Sequence, residues 1–172
     1  GAFALTEAES GSDAGALRTR ADADGDGWSI SGAKQWITNG SHAGTFLTFA
    51  RSRPELKGAR GISAFLLDAE HVRVTREEEK LGLNSSSTAD LLIEGAQVSR
   101  DRLLHEEGRG FSVAMSTLDG GRIGIAAQAL GIAQAAYDVA REYAKERRTF
   151  GKAIAEHQAI QFKLADMSTE ID

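Results

Sequence analysis

The chain has 172 residues, 41% of them apolar and 26% charged, with a formal net charge of −5 and no cysteine. Such a composition belongs to a folded globular protein rather than a disordered one, and no apolar run is long enough to span a bilayer as a helix. The missing thiols exclude disulfides, thiolate nucleophiles and Cys-ligated zinc, and the dispersed basic residues leave no electrostatic footprint for nucleic acid.

In chain order, Gly1 to Thr6 read as a β-like segment, and Ser10 to Gly15 as a turn-rich stretch of hydroxyl residues and glycines. Trp28 to Ile37, Thr45 to Arg51, Gly61 to Asp68 and Ala89 to Ile93 are short runs rich in β-forming residues. Clusters such as Asn39-Gly40 and Asn84 to Ser87 separate them, the pattern of an antiparallel sandwich or barrel. Beyond Glu107 the period changes: Ile123, Ala126, Ala127, Leu130, Ala133, Tyr137, Ala140 and Ala144 recur every three to four residues. Lys145, Arg147 and Arg148 then sit where a helix C-terminus favours cations, with Gly151 as the stop. A second helix carries Ile160, Leu164, Met167 and Ile171 on one stripe.

Residue usage marks the same division. Sixteen of the nineteen glycines lie at or before Gly121, whereas the 51 residues after it hold twelve alanines, so a turn-rich strand region gives way to close-packed helices. The expected fold is α+β, with an antiparallel β-barrel or sandwich over residues 1–106 and close-packed helices over 107–172. The apolar stripe is still in register at Ile171, and the first residues show neither a methionine nor a targeting stretch. The chain is therefore read as an internal segment of a longer protein.

Several motifs fail on inspection. Asp22-Ala-Asp24-Gly-Asp26-Gly27 matches the first half of a calcium-binding EF-hand loop, but the twelfth position is Ala33 and supplies no bidentate carboxylate. An acidic hairpin turn is the expected structure. His42, His71, His105 and His157 lack ligand spacing, so no metal site is assigned. No serine stands in a nucleophile elbow, and Gly108-Arg-Gly110-Phe-Ser-Val lacks the third glycine of a dinucleotide fingerprint.

Two segments remain. Ala4-Leu-Thr-Glu-Ala-Glu-Ser-Gly-Ser-Asp-Ala-Gly15 offers backbone N–H groups and small hydroxyls suited to a pyrophosphate or a carbonyl-rich ring, and is equally readable as a polar turn. Lys34-Gln-Trp-Ile-Thr-Asn-Gly40 places a Trp beside a Thr at a strand end, where the indole can offer a flat face to a planar cofactor, although composition alone favours core packing.

Together these segments resemble the acyl-CoA dehydrogenase family, flavoproteins that oxidise acyl-CoA thioesters. Arg147-Arg-Thr-Phe-Gly151 with His157-Gln158 is similar to the family's cofactor contact in its helical domain. Thr117-Leu-Asp-Gly-Gly-Arg-Ile-Gly-Ile-Ala126 and Ile160-Gln-Phe-Lys-Leu-Ala-Asp-Met167 resemble the short-chain, butyryl-CoA branch. The resemblance covers essentially the whole chain, and it implies that the antiparallel helices over 107–172 begin a four-helix bundle. It implies that Phe3, Leu5 and Thr6 line FAD, that Gly11 and Ser12 approach its pyrophosphate, and that Ser12 also touches substrate. By the same resemblance, Trp36 covers the flavin face with Ile37 beside it, and Thr38 bonds near N5, where a hydroxyl can serve as donor or acceptor. Arg147, Thr149, Phe150, His157 and Gln158 would reach FAD of a neighbouring subunit, and Asp119 and Arg122 the substrate channel. Arg147 and Arg148 as partners of the helix dipole, and Asp119 with Arg122 as an ordinary ion pair, are the plainer alternatives.

The reaction implied is α,β-dehydrogenation of an acyl-CoA to a trans-2-enoyl-CoA in fatty acid β-oxidation, with electrons passed from a homotetramer to an electron-transferring flavoprotein. The resemblance places the base, a Glu, beyond Asp172. In a minority of relatives the base falls at the position of Gly121, which cannot serve, and neither Glu7 nor Glu9 receives the role. Asn84-Ser85 stands where relatives often carry Arg-Gly, and Ala8 where a Pro is common. An acyl-CoA oxidase and a non-catalytic flavin-binding module are the alternative readings. The compartment implied is the cytoplasm for a bacterial source and the mitochondrial matrix for a eukaryotic one.

Overall fold

The computed structural model describes residues 1–172. In chain order it contains strands β1 (Ala2–Ala4), β2 (Arg20–Asp24), β3 (Gly27–Thr38), β4 (Thr45–Arg51), β5 (Ile62–Asp68), β6 (Arg73–Glu77), β7 (Thr88–Ser99) and β8 (Leu103–Leu104). The long helix α1 (Gly110–Glu146) follows, then the short strands β9 (Arg148–Thr149) and β10 (Lys152–Ala153), and helix α2 (Gln158–Ile171). The chain divides into two compact units, Gly1–Thr117 and Leu118–Asp172.

The first unit is one predominantly antiparallel sheet in the order β6-β7-β3-β2-β4-β5-β8, with β1 added in parallel against β4. It is strongly curled. Trp28 of β3 and Phe65 of β5 lie three strands apart along the sheet, which on a flat sheet would separate them by about 14 Å. Their ring centroids are 5.2 Å apart, so the two faces close around a core that also holds Ile30, Phe46, Leu67, Leu91 and Ile93. The acidic hairpin expected at Asp22 to Gly27 is present: Asp24 pairs with Gly27 across a two-residue turn, and Gly25 takes the positive φ (56°) that such a turn needs.

Strands β2 and β6 were not legible in the sequence. Their residues, Arg-Ala-Asp-Ala-Asp and Arg-Val-Thr-Arg-Glu, bury one side chain and none, respectively, so neither leaves an apolar alternation to read. By packing, the first two turns of α1 belong to the β-unit, which runs to Thr117. Ala114 is fully buried, and a Cβ on Gly110 would sit 2.4 Å from the Ser63 carbonyl carbon, so only glycine lets the helix start this close to β5.

In the second unit, half-buried Ile160, Leu164, Met167 and Ile171 confirm the predicted stripe of α2. Helix α1 stops at Glu146, so Arg147 and Arg148 lie beyond it, and Gly151 is not its terminating glycine. Gly151 instead closes the β9–β10 hairpin, where φ is positive at both turn residues, Phe150 (51°) and Gly151 (80°). No helix is long and apolar enough to cross a membrane.

Candidate functional site

In the first unit the two motif segments meet. After β1 ends, the chain makes a tight turn closed by reciprocal backbone bonds between Glu7 and Ser10, both 3.1 Å. The Gln35 amide donates to the Thr6 carbonyl at 2.9 Å, which joins the first segment directly to β3. Ser10 Oγ caps the Asp13 carbonyl at 2.8 Å, leaving Gly11 and Ser12 exposed with amides that donate to no group of the chain. Nothing lies within 4 Å of a Cβ built on Gly11.

The second segment departs from regular strand geometry. Gln35 and Trp36 together face the single residue Asp90 of β7, a β-bulge that follows the Lys34–Leu91 pair and precedes Ile37–Ala89. Trp36 sits at φ 57°, a left-handed conformation that a bulky residue adopts at a cost of about 1–2 kcal/mol. Its amide is held by the Asp90 carboxylate at 3.2 Å. The bulge turns the indole outward, 57% exposed, with the exposed Thr38 on the same side and Ile37 buried in the core. Strain of this kind gathers at functional positions.

The other residues named from the sequence in this unit divide similarly. Phe3 is half-buried with its ring 5.0 Å from that of Phe49, and Thr6 is half-buried. The side chains of Leu5 and Ile37 are in the core, so only their main chains are available to a ligand.

In the second unit the hairpin and the start of α2 gather the remaining group. Phe150 is 96% exposed at the hairpin tip, its ring edge-on to His157 at 6.1 Å, and Thr149 Oγ1 lies 3.1 Å from His157 Nε2. Gln158 opens α2 and is exposed. The Arg147 amide and carbonyl are both used, bonding Tyr143 and Ile154, while its guanidinium has no partner in the chain. Asp119 and Arg122 form an i,i+3 ion pair on α1, 2.5 Å apart and each 70% exposed, worth little by itself.

Three residues that hold the site together escaped the sequence reading. Lys34 is entirely buried, donating to Glu7 Oε1 at 2.8 Å and to the carbonyls of Phe49 (2.7 Å) and Leu5 (3.2 Å). Glu7 also accepts from the Arg18 and Thr19 amides at 2.6 and 3.0 Å. Burial pushes the Lys34 pKa down to about 8 against the opposing pull of Glu7. Burial would raise Glu7, but the Lys34 charge and the donors around the carboxylate outweigh it and leave Glu7 below the usual range. Arg51, the third, donates to the carbonyls of Gly15, Leu17, Leu56 and Gly58 and so closes the far end of the Ser10–Leu17 loop. A signal for Lys34 existed: it occupies an inward position two and four residues after Gly32 and Ile30, and a cation there demands a buried partner.

A curled β-unit that displays a strained indole beside a glycine- and hydroxyl-bearing loop, with a helical unit after it, is the architecture shared with known proteins. The middle-domain model of acyl-CoA dehydrogenases matches residues 2–96, and the C-terminal-domain model matches residues 108–172. The chain belongs to the acyl-CoA dehydrogenase family. It is 52% identical over its full length to the short-chain specific acyl-CoA dehydrogenase of Bos taurus mitochondria, of which it covers 42%. Butyryl-CoA dehydrogenase from Megasphaera elsdenii superposes with a TM-score of 0.95 at 45% identity, over 99% of this chain and 45% of that one. A chain in the structure of the electron transferring flavoprotein of Acidaminococcus fermentans gives 0.94 at 48% identity, over 99% and 45%. This chain thus spans less than half the length of these relatives.

Proposed function

We propose that these residues form the central part of a FAD-dependent acyl-CoA dehydrogenase that acts on short-chain acyl-CoA thioesters and introduces the α,β double bond. The observation that carries the reading is Trp36, a left-handed, outward-turned indole fixed by a bulge, with a free hydroxyl two residues on. The site fits a flavin. The indole offers a flat face, Thr38 Oγ1 has no partner in the chain and can donate or accept, and the open Gly11–Ser12 amides suit a diphosphate. The main chains of Leu5 and Thr6, with Phe3 beside them, would meet the ring's polar edge. Bound FAD would supply the two-electron acceptor.

In the helical unit, the unpartnered guanidinium of Arg147 would pair with phosphate, and Thr149, Phe150, His157 and Gln158 would complete a contact to a FAD held by another subunit of a homotetramer. Asp119, Arg122 and Ser12 would face the thioester substrate. Glu7 does not suit the role of base: its carboxylate is buried, occupied by three donors and lowered in pKa. Electrons would leave to an electron-transferring flavoprotein, and the compartment would be the matrix or the bacterial cytoplasm. The test is anaerobic addition of butyryl-CoA to the full-length protein loaded with FAD. Bleaching of the flavin band is expected, and a flavin that stays oxidised refutes the dehydrogenase reading.

A further inference from the structure

We propose that the Glu7–Lys34 ion pair is a positioning device, which sets the Leu5–Thr6 segment against the Gln35–Thr38 segment before any ligand binds. The proposal rests on the flavin reading, because those two segments are the ones that would frame the ring.

The pair joins four stretches of chain. Lys34 Nζ reaches Leu5 and Glu7 on the first segment and Phe49 on β4, while Glu7 reaches Arg18 and Thr19 at the entry to β2. Leu5 and Thr6 lie beyond the end of β1, outside its ladder with β4. What orients their backbone is the Lys34 bond to Leu5 O and, one residue along each segment, the Gln35 bond to Thr6 O. Each tie therefore sits next to a residue of the proposed site.

Stability alone would not call for charges here. A buried ion pair is often replaced by apolar side chains of similar volume with no loss of stability. Apolar groups could not, however, satisfy two carbonyls and two amides in fixed directions, and one of those atoms, Leu5 O, lies on the first segment itself while the other three anchor the pair to β4 and the entry to β2. The side chains of Lys34 and Glu7 are 0% and 9% exposed, so the pair lies behind the ligand face and acts only through its neighbours. Small displacements of such positioning groups are costly, since about 1 Å of misplacement can change a rate 100-fold.

The test uses the full-length protein with the variants Lys34→Met and Glu7→Asp, and Val98→Ala as a control. Val98 is a buried core residue paired with Trp28 near the end of β7, well along the strand from the bulge. FAD titrations are run well below every melting temperature. The expected result is a rise in the FAD Kd of about ten-fold or more for Lys34→Met and a smaller rise for Glu7→Asp, both with a shifted flavin absorption band. Val98→Ala should stay within about two-fold of wild type. A second measurement needs no variant: in the wild-type apoprotein, the Arg18, Thr19 and Gln35 amides should already resist hydrogen exchange before FAD is added. The proposal is overturned if Lys34→Met melts lower yet binds FAD as Val98→Ala does, or if those amides become protected only on FAD binding. Failure of the wild-type protein to bind FAD would instead refute the flavin reading, and slow exchange at the three amides would still be observed.

Discussion

Replacing Trp36 by glycine separates the two roles an aromatic residue can have. At 57% exposure the indole keeps roughly 100 Å² of its ~250 Å² out of water, and losing that costs about 2.5 kcal/mol. Glycine releases the left-handed strain, about 1–2 kcal/mol in the other direction, and adds about 0.5–1 kcal/mol of backbone entropy cost. The apoprotein should therefore lose only about 1–2.5 kcal/mol, where truncating a core Trp costs about 3–5 kcal/mol. FAD affinity should fall further. Aromatic stacking on a heteroaromatic ring contributes about 1–3 kcal/mol, equivalent to roughly 5- to 150-fold in Kd. Denaturant unfolding of the apoprotein and a fluorescence titration with FAD read the two quantities separately. A stability loss above about 3 kcal/mol with FAD affinity unchanged would show that Trp36 is packing and nothing more.

Other substitutions probe the supports of the site. Arg51→Lys should destabilise by about 1–3 kcal/mol, because a single ammonium cannot replace a fork that serves four carbonyls, and it should speed proteolysis at the Ser10–Leu17 loop. Gly110→Ala should lower the melting temperature despite alanine's better helix propensity, since its Cβ would meet the β5 backbone; a rise would refute the close approach. The Glu7 pKa lies below its unfolded value of 4.5, so its contribution is complete above about 4.5 and is lost as pH falls through the lowered value. Lys34 adds a second rise: it deprotonates near 8 in the fold and near 10.5 when unfolded, so the cost of burying its charge is relieved and stability again rises with pH between those values. Unfolding midpoints measured against pH should show both limbs, and Lys34→Met should flatten the alkaline one.

What the sequence disclosed depended on whether a structural feature leaves a pattern. The strands from Trp28, Thr45 and Gly61 are apolar on one face or both and were readable, as was the stripe of α2. Charged edge strands such as β6 are held by ladder bonds that involve no particular side chain, so they leave no signature. The site residues are legible by resemblance, whereas composition alone favours the core for Trp36, which the structure shows exposed. Its outward turn depends on a bulge formed jointly with Asp90, more than fifty residues away. The Glu7–Lys34 pair is equally non-local, visible beforehand only as a lysine in an inward register.

The bulge at Gln35–Trp36 also determines which kinds of sequence change the segment can absorb. Upstream of it the inward positions of β3 are even-numbered, Trp28, Ile30 and Lys34, and downstream the inward residue is Ile37. The extra residue reverses the parity of the strand. Deleting one residue between Lys34 and Ile37 would restore plain alternation with Ile37 still inward and Thr38 still outward, and would erase the bulge that holds Trp36 in its left-handed conformation, whereas inserting one without a further bulge would carry Ile37 to the outer face. Point substitutions keep the extra residue even when they remove a useful group. Chain length between Lys34 and Thr38 is therefore held more tightly than the identity of any one residue within it, and relatives that preserve this surface should differ there by replacement and not by insertion or deletion.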